Sequence, residues 1–326
     1  MHNLKSHSNW LYFQVVLATA VWGGAYPFTK YLVTEISPVT IVAVRALIGS
    51  LLLVLLTGSR LKASDFRPGY LWKIFVMSVL GISAQQLVQA YALAYTSANH
   101  AGWLIASTPI LVAAAMTFLG ERLGIPKIIA FMLGFIGTLV VIFSKASGTS
   151  LAALPSTKAD LIFTGTCVAW AAYVVLTRKW LTFWKQTKVT TVTMITAMFT
   201  MLPIWYFSGK TGELVNLTAK GWFSLGYLCL LSSALAYWFW NNSVEGLGAV
   251  KSSYFIYIEP FATLLSAYIF LGEPLSAAAF AGGLLIMAGV YFVNIDKPPI
   301  IIRGPAVIRP AHLLSAGCDR EERAHD

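Results

Sequence analysis

Residues 10 to 294 read as two copies of one five-helix membrane unit, and the copies face opposite ways. Trp22, followed by Thr29 and Lys30, recurs at the same spacing as Trp170, followed by Thr177 and Arg178. Ser107-Thr108-Pro109 leads to Leu119-Gly120-Glu121-Arg122-Leu123. The second copy answers with Ile258-Glu259-Pro260 and Leu271-Gly272-Glu273-Pro274-Leu275, one residue longer. Gly137 and Gly289 also match. A repeat on this scale, in apolar sequence, is the mark of a secondary transporter rather than of an enzyme or a receptor.

The solvent for this chain is lipid. It is 57% hydrophobic and 11% charged, with mean hydropathy +0.71, whereas soluble domains carry about 25% charged residues. A spanning helix needs about 20 mostly apolar residues. Spans are expected near 10–34, 38–57, 72–95, 98–119, 126–144, 159–181, 189–208, 221–243, 250–271 and 276–294. The expectation is thus an all-α integral membrane protein of ten helices in two inverted five-helix repeats, 10–144 and 159–294. Residues 1–9 form an N-terminal tail, 145–158 a linker, and 295–326 a Pro-rich, polar tail that reads as disordered. Ala18-Thr19-Ala20 resembles a signal-peptide cleavage site, but the apolar run continues past it and cleavage would destroy the pairing of Trp22 with Trp170.

Basic residues set the direction. With the N-terminus in the cytoplasm, one side collects Lys5, Arg60, Lys62, Arg67, Lys73, Arg122, Lys127, Arg178, Lys179, Lys185, Lys188, Lys251 and the basic residues of the tail. The other side collects Lys30, Lys145, Lys158, Lys210 and Lys220. Both termini are therefore expected in the cytoplasm, in a plasma membrane or, in a bacterium, the inner membrane. The net charge of +10 follows this loop pattern and calls for no nucleic acid.

Trp22 with Thr29-Lys30, Ser37-Pro38 leading to Arg45, and the Gly120-Glu121-Arg122-Leu123 and Gly272-Glu273-Pro274-Leu275 turns resemble the drug/metabolite transporter superfamily, EamA type. The resemblance covers residues 10 to 294. It implies ten helices, a central cavity lined mainly by spans 1, 3, 4, 6, 8 and 9, and export of small metabolites as the commonest activity. The second repeat shows no counterpart of Arg45 near Thr193 to Thr196.

Depth selects the candidate substrate-binding residues, because polar groups at the bilayer centre are costly unless they are paired or used. Glu259 is the sharpest of them. It precedes Pro260, which matches Pro109, and proline-interrupted helices at matching positions point to a transport site. Both prolines are expected to kink their helices. Glu259 suits a proton acceptor or an anchor for a cationic group; the plainer reading is a carboxylate that locks two helices by accepting hydrogen bonds. Tyr257 lies two residues ahead of it. Gln85, Gln86 and Gln89 share one face of span 3 and suit polar or zwitterionic substrates, although amides also bridge membrane helices.

Trp22 and Trp170 are central and paired by the repeat. Trp103 and Ser107 share a face of span 4 with His100, and Tyr237 and Asn241 share one of span 8. Aromatic residues stack on rings or cations, or simply form the interfacial belt. Arg45 either snorkels to headgroups or faces an anionic substrate or Glu259. His100 carries protons at neutral pH or is merely wetted at the span end.

The three cysteines have no metal-ligand spacing, and no phosphate-binding loop is present. No cofactor, metal or catalytic residue is expected. A membrane enzyme would need an acid/base or metal cluster that the chain does not show, and a non-transporting scaffold would not need repeat-related midplane residues. The reading is a secondary transporter, most simply an exporter, of a small polar, amino acid-like metabolite or drug. Import and exchange by the same fold are the alternatives.

Overall fold

The structure, a computed structural model, describes residues 2–57, 61, 67–117, 124–143, 155–181, 183–247, 252, 254–274 and 276–295. The Glu121 turn, residues 145–154 of the linker and everything beyond Ile295 lie outside them. The helices are α1 (His2–Leu32), α2 (Pro38–Thr57), α3 (Pro68–Tyr95), α4 (Ala98–Ile105 and Thr108–Thr117), α5 (Ile125–Phe143), α6 (Pro155–Trp180), α7 (Gln186–Phe207), α8 (Ala219–Leu247), α9 (Tyr254–Tyr257 and Ile258–Leu271) and α10 (Ala277–Ile295).

Two helices begin ahead of the spans expected from hydropathy. Helix α1 starts at His2, so the expected tail 1–9 is helical from its second residue. No glycine or proline separates His2 from Trp10, and hydropathy marks where a helix enters lipid rather than where it begins. Helix α6 starts at Pro155, so the expected linker 145–158 ends inside a helix. A proline at the first helical position has its φ already set for the helix and loses only a donor that would be unsatisfied there.

Packing follows the inverted repeat. Helix α2 packs on α7, and α5 on α10, each pair being repeat equivalents. Helix α1 packs on α8 and α9, while its equivalent α6 packs on α3 and α4. Each repeat thus hands its first helix to the other. Small residues permit this. A Cβ on Gly23 of α1 would come 2.3 Å from the Glu259 carbonyl of α9. A Cβ on Gly137 of α5 would come 2.6 Å from the Gly282 carbonyl of α10. The outer surface is apolar: Leu55, Phe135, Phe199, Leu265 and Ile269 are all exposed, and lipid accounts for side chains that water would not.

Both prolines sit in the first turn of a resumed helix rather than at an interior kink. Helix α4 breaks at Ala106–Ser107 ahead of Pro109, and α9 opens with a 3-10 turn, Tyr254–Tyr257, ahead of Pro260. The proline ring clashes with the carbonyl four residues back and offers no N–H, so the regular ladder yields just before it. Helices α3 and α8, also repeat equivalents, each contain a π-helical stretch, Val79–Ser83 and Tyr227–Leu235. Such stretches widen the turn and recur at functional sites.

One end of the bundle gathers the C-termini of α1, α3, α5, α7 and α9 and the N-termini of α2, α4, α6, α8 and α10; it is called the Asp160 end. Carboxylates from distant turns satisfy its exposed helix N–H groups, as helix starts require. Glu273 accepts from Ala98 N and Asn99 N at 3.0 and 3.1 Å. Glu35 accepts from Thr218 N at 3.0 Å, and Glu213 from Ser37 N at 2.9 Å. Partial burial disfavours ionisation of Glu213, but the Thr40 hydroxyl and the Ser37 N–H and hydroxyl outweigh it and hold its carboxyl below the usual carboxylate range. At the opposite end Glu245 caps α7 by accepting from Thr187 N at 3.3 Å.

Candidate substrate site

Between the two ends, α1, α2, α3, α8 and α9 bring two opposite charges into one neighbourhood without pairing them. Arg45 is buried on α2. Its Nε donates to the Ser233 hydroxyl at 3.1 Å and an Nη to the Ser232 hydroxyl at 3.5 Å. Both serines stand in the π-helical stretch of α8. Gly49, one turn along α2, allows this approach, since a Cβ there would meet the Ser233 Cβ at 2.9 Å. A guanidinium has five N–H donors in a fixed fork, so two hydroxyls leave it donors to spare.

Glu259 is also buried. Its Oε1 accepts from the Tyr26 hydroxyl at 2.9 Å. Its backbone is fixed from both sides: Thr263 donates to the carbonyls of Gly23 and Glu259, each at 2.9 Å. Tyr26 and Tyr237 each lie within electrostatic range of both Arg45 and Glu259. Gln86 is a hydrogen-bond partner of Tyr237. Arg45 and Glu259 therefore border the same two tyrosines, and among the described residues they form no ion pair with each other.

Aromatic rings wall this region. The Trp22 indole N–H donates to the Ser232 carbonyl at 3.1 Å, and its ring lies 5.1 Å from Tyr237 and 5.4 Å from Trp240. Trp170 sits 5.0 Å from the Tyr173 ring and packs, like Trp22, against the cluster of Ile82, Met194 and Tyr237. Gln85 is buried beside Gln86 on α3, with Gln89 half-buried. Tyr257 is half-buried and packs against the core near Tyr26 and Phe163.

Other candidates stand apart from the charged pair. Trp103 is 1% exposed and wedged between Phe261 and Phe280, with its ring where a Cβ on Gly283 would fall. Ser107 turns back to its own helix, donating to the Leu104 carbonyl at 2.6 Å. Asn241 is buried against α7, accepting from Thr190 at 3.4 Å. Pro109 and Pro260 shape the backbone as described above. Among the described residues, no group of three His, Cys, Asp or Glu is placed to hold a metal ion.

The sequence reading missed Tyr26 and Asp160. Tyr26 follows Trp22 by one helical turn, a spacing that puts both on one face, but aromatic residues are too common here for that to stand out. Asp160 fell at the start of the expected span 159–181 and was not singled out. It is 0% exposed, inside α6, and bonded to His100. Glu259 is therefore accompanied by a second buried carboxylate.

The EamA-like transporter family profile matches residues 9–143 and 157–295, one match per repeat. An "Uncharacterized transporter YyaM" of Bacillus subtilis is 27% identical, covering 82% of this chain and 88% of its own. The "Protein PecM" of Dickeya dadantii is 27% identical, over 85% and 90%. A "Probable terminal-alkyne amino-acid exporter" of Streptantibioticus cattleyicolor is 26% identical, over 86% and 92%. A crystal structure sharing 18% identity superposes with a TM-score of 0.61, covering 89% of this chain and 97% of that one, and so shows the same fold.

Proposed function

This chain belongs to the EamA-like transporter family, and from that premise we propose that it exports a small zwitterionic, amino acid-like metabolite by alternating access. The observation that carries the reading is the buried, unpaired opposition of Arg45 and Glu259 around Tyr26, Tyr237 and Gln86. A charge at bilayer depth is expensive, and it persists where it serves a substrate or ion. A zwitterion supplies both missing partners at once: its carboxylate to the guanidinium fork and its ammonium to Glu259 and the tyrosine hydroxyls. Aromatic faces of Trp22 and Tyr237 then border the side chain of the cargo. The printed name of the Streptantibioticus relative, an amino-acid exporter, supports the same class.

Export is favoured by the printed name of that relative, and the bias of basic loops favours an orientation with both termini in the cytoplasm and the Asp160 end outside. Rocking of the interlocked repeats exposes the site to each side in turn. The test is efflux from cells loaded with dipeptides that are hydrolysed inside. Expression of this chain should speed the appearance of one or a few amino acids outside and lower their internal level. Faster uptake with unchanged efflux would overturn the proposed direction.

A further inference from the structure

The end opposite Asp160 carries a cluster of stacked rings and basic side chains that the central site does not use. The start of α3 meets the end of α6 there, with the start of α7 beside them. The Trp72 and Trp180 rings lie 5.0 Å apart, and those of Tyr70 and Trp184 5.4 Å apart. Lys73 Nζ stands 5.9 Å from both the Tyr70 and the Trp72 rings, and Lys188 Nζ 4.3 Å from the Trp184 ring. At these distances a cation is attracted to the face of a ring. Arg67 precedes α3, Lys179 adjoins Trp180 and Lys185 adjoins Trp184, and all three are exposed. The ring pairs bridge the repeats, since α3 belongs to the first and α6 and α7 to the second. Beneath them Met77, Tyr173, Leu181 and Val189 form a buried core that joins the same three helix ends.

We propose that this cluster binds an anionic phospholipid of the adjacent leaflet, with the phosphate among the basic side chains and an acyl chain laid along α3. Charge is the first reason. Among the described residues Arg67, Lys73, Lys179 and Lys185 form no ion pair. Glu245, the one carboxylate at this end among those residues, caps α7 at Thr187. The Asp160 end differs. The repeat offset that pairs Trp22 with Trp170 pairs Glu35, which holds the first turn of α8, with Phe183, which is 83% exposed. A carboxylate thus closes this place in the fold at one end of the bundle, and a phenyl ring flanked by lysines stands there at the other. Depth is the second reason. Trp72 is 54% exposed, and such rings sit at headgroup level, within reach of long basic side chains. The third reason is the apolar surface below. Leu71 and Phe75, four residues apart on one face of α3, are both exposed and carry the site on into hydrocarbon. A soluble anion would gain nothing from them. The proposal needs this end to border a membrane, and needs neither the cargo nor the direction of transport.

The experiment melts the delipidated protein in detergent with increasing phosphatidylglycerol, phosphatidylcholine or glycerol phosphate, because a ligand that binds only the folded state raises the melting temperature. A basic residue beside an anionic lipid is worth about fivefold in binding, so the parent should respond to phosphatidylglycerol at a concentration at least about tenfold lower than to phosphatidylcholine. Glycerol phosphate, the headgroup without its chains, should give no response. Arg67→Gln, Lys73→Gln, Lys179→Gln and Lys185→Gln together should abolish the preference. Lys73→Gln alone, which leaves the rings in place, should lower it about fivefold. Arg303→Gln, Arg309→Gln, Arg320→Gln and Arg323→Gln remove the same charge from the chain beyond Ile295 and should leave the preference unchanged. Equal response of the parent to the two lipids, an equal response to glycerol phosphate, or a full preference in Lys73→Gln would each overturn the proposal. So would the same loss in the variant beyond Ile295, which would mean a diffuse attraction rather than a site.

Discussion

Replacing Arg45 by methionine should abolish saturable amino acid export while leaving the protein folded in the membrane. Among the described residues Arg45 bonds to the Ser232 and Ser233 hydroxyls alone, and both can turn to backbone carbonyls within their own helix, as Thr19, Thr29 and Ser243 do elsewhere in the chain. Removing the guanidinium therefore removes a costly buried charge and little packing. The substrate loses more. Truncating one member of a buried, hydrogen-bonded charge pair costs about 2–5 kcal/mol, which is roughly 30-fold to several thousand-fold in affinity. Transport into proteoliposomes, with detergent-solubilised melting as the folding control, separates the two. Export at the parental rate would remove Arg45 from the substrate's path.

The largest structural effect is expected at the α5–α10 contact. Gly137→Leu drives a side chain into the Gly282 carbonyl, 2.6 Å from the position of its Cβ, and into Ile286 N at 2.8 Å. Both obstacles are backbone, so neither can swing aside, and the reciprocal approach of Gly282 to the Gly137 carbonyl at 2.8 Å leaves no slack. Overpacking of well-fitted interiors typically costs about 1–3 kcal/mol; a leucine against two backbone atoms belongs at or above that range. Gly165→Leu is the control, because nothing lies within 4 Å of its Cβ. The Gly137 variant should lose its folded monodisperse form in detergent and the Gly165 variant should keep it. Equal stability of the two would mean that α5 and α10 do not meet as described.

How far the sequence carried the account depends on the kind of signal. The repeat was legible because Trp22 and Trp170, and the two Leu-Gly-Glu turns, are distinctive residues at fixed spacing in otherwise uniform apolar text. Span positions were legible because lipid imposes length and composition. Arg45 and Glu259 were legible as charges at depth. Their relation was not: nothing in either segment says that Arg45 meets the π-helical stretch of α8, since no proline or glycine run marks Tyr227–Leu235. Asp160 was hidden for a different reason. It is the second residue of the expected span 159–181, close behind Lys158, where a charge is read as lying at the wetted span end, yet a proline-initiated helix carries it into the bundle. Trp103 shows the reverse case, a candidate by depth and face that the structure places in helix packing against Gly283.

The central claim is that Arg45 and Glu259 hold the two ends of one zwitterion. Calorimetric binding of three forms of the exported amino acid tests it: the free compound, its methyl ester and its N-acetyl derivative, each against the parent, Arg45→Met and Glu259→Gln. The parent should bind the free amino acid and lose about 2–5 kcal/mol with either derivative. Against Arg45→Met the ester should bind no worse than the free amino acid, and against Glu259→Gln the N-acetyl form should bind no worse. Tight binding of both derivatives by the parent, or an unchanged preference for the free amino acid in both variants, would contradict the claim.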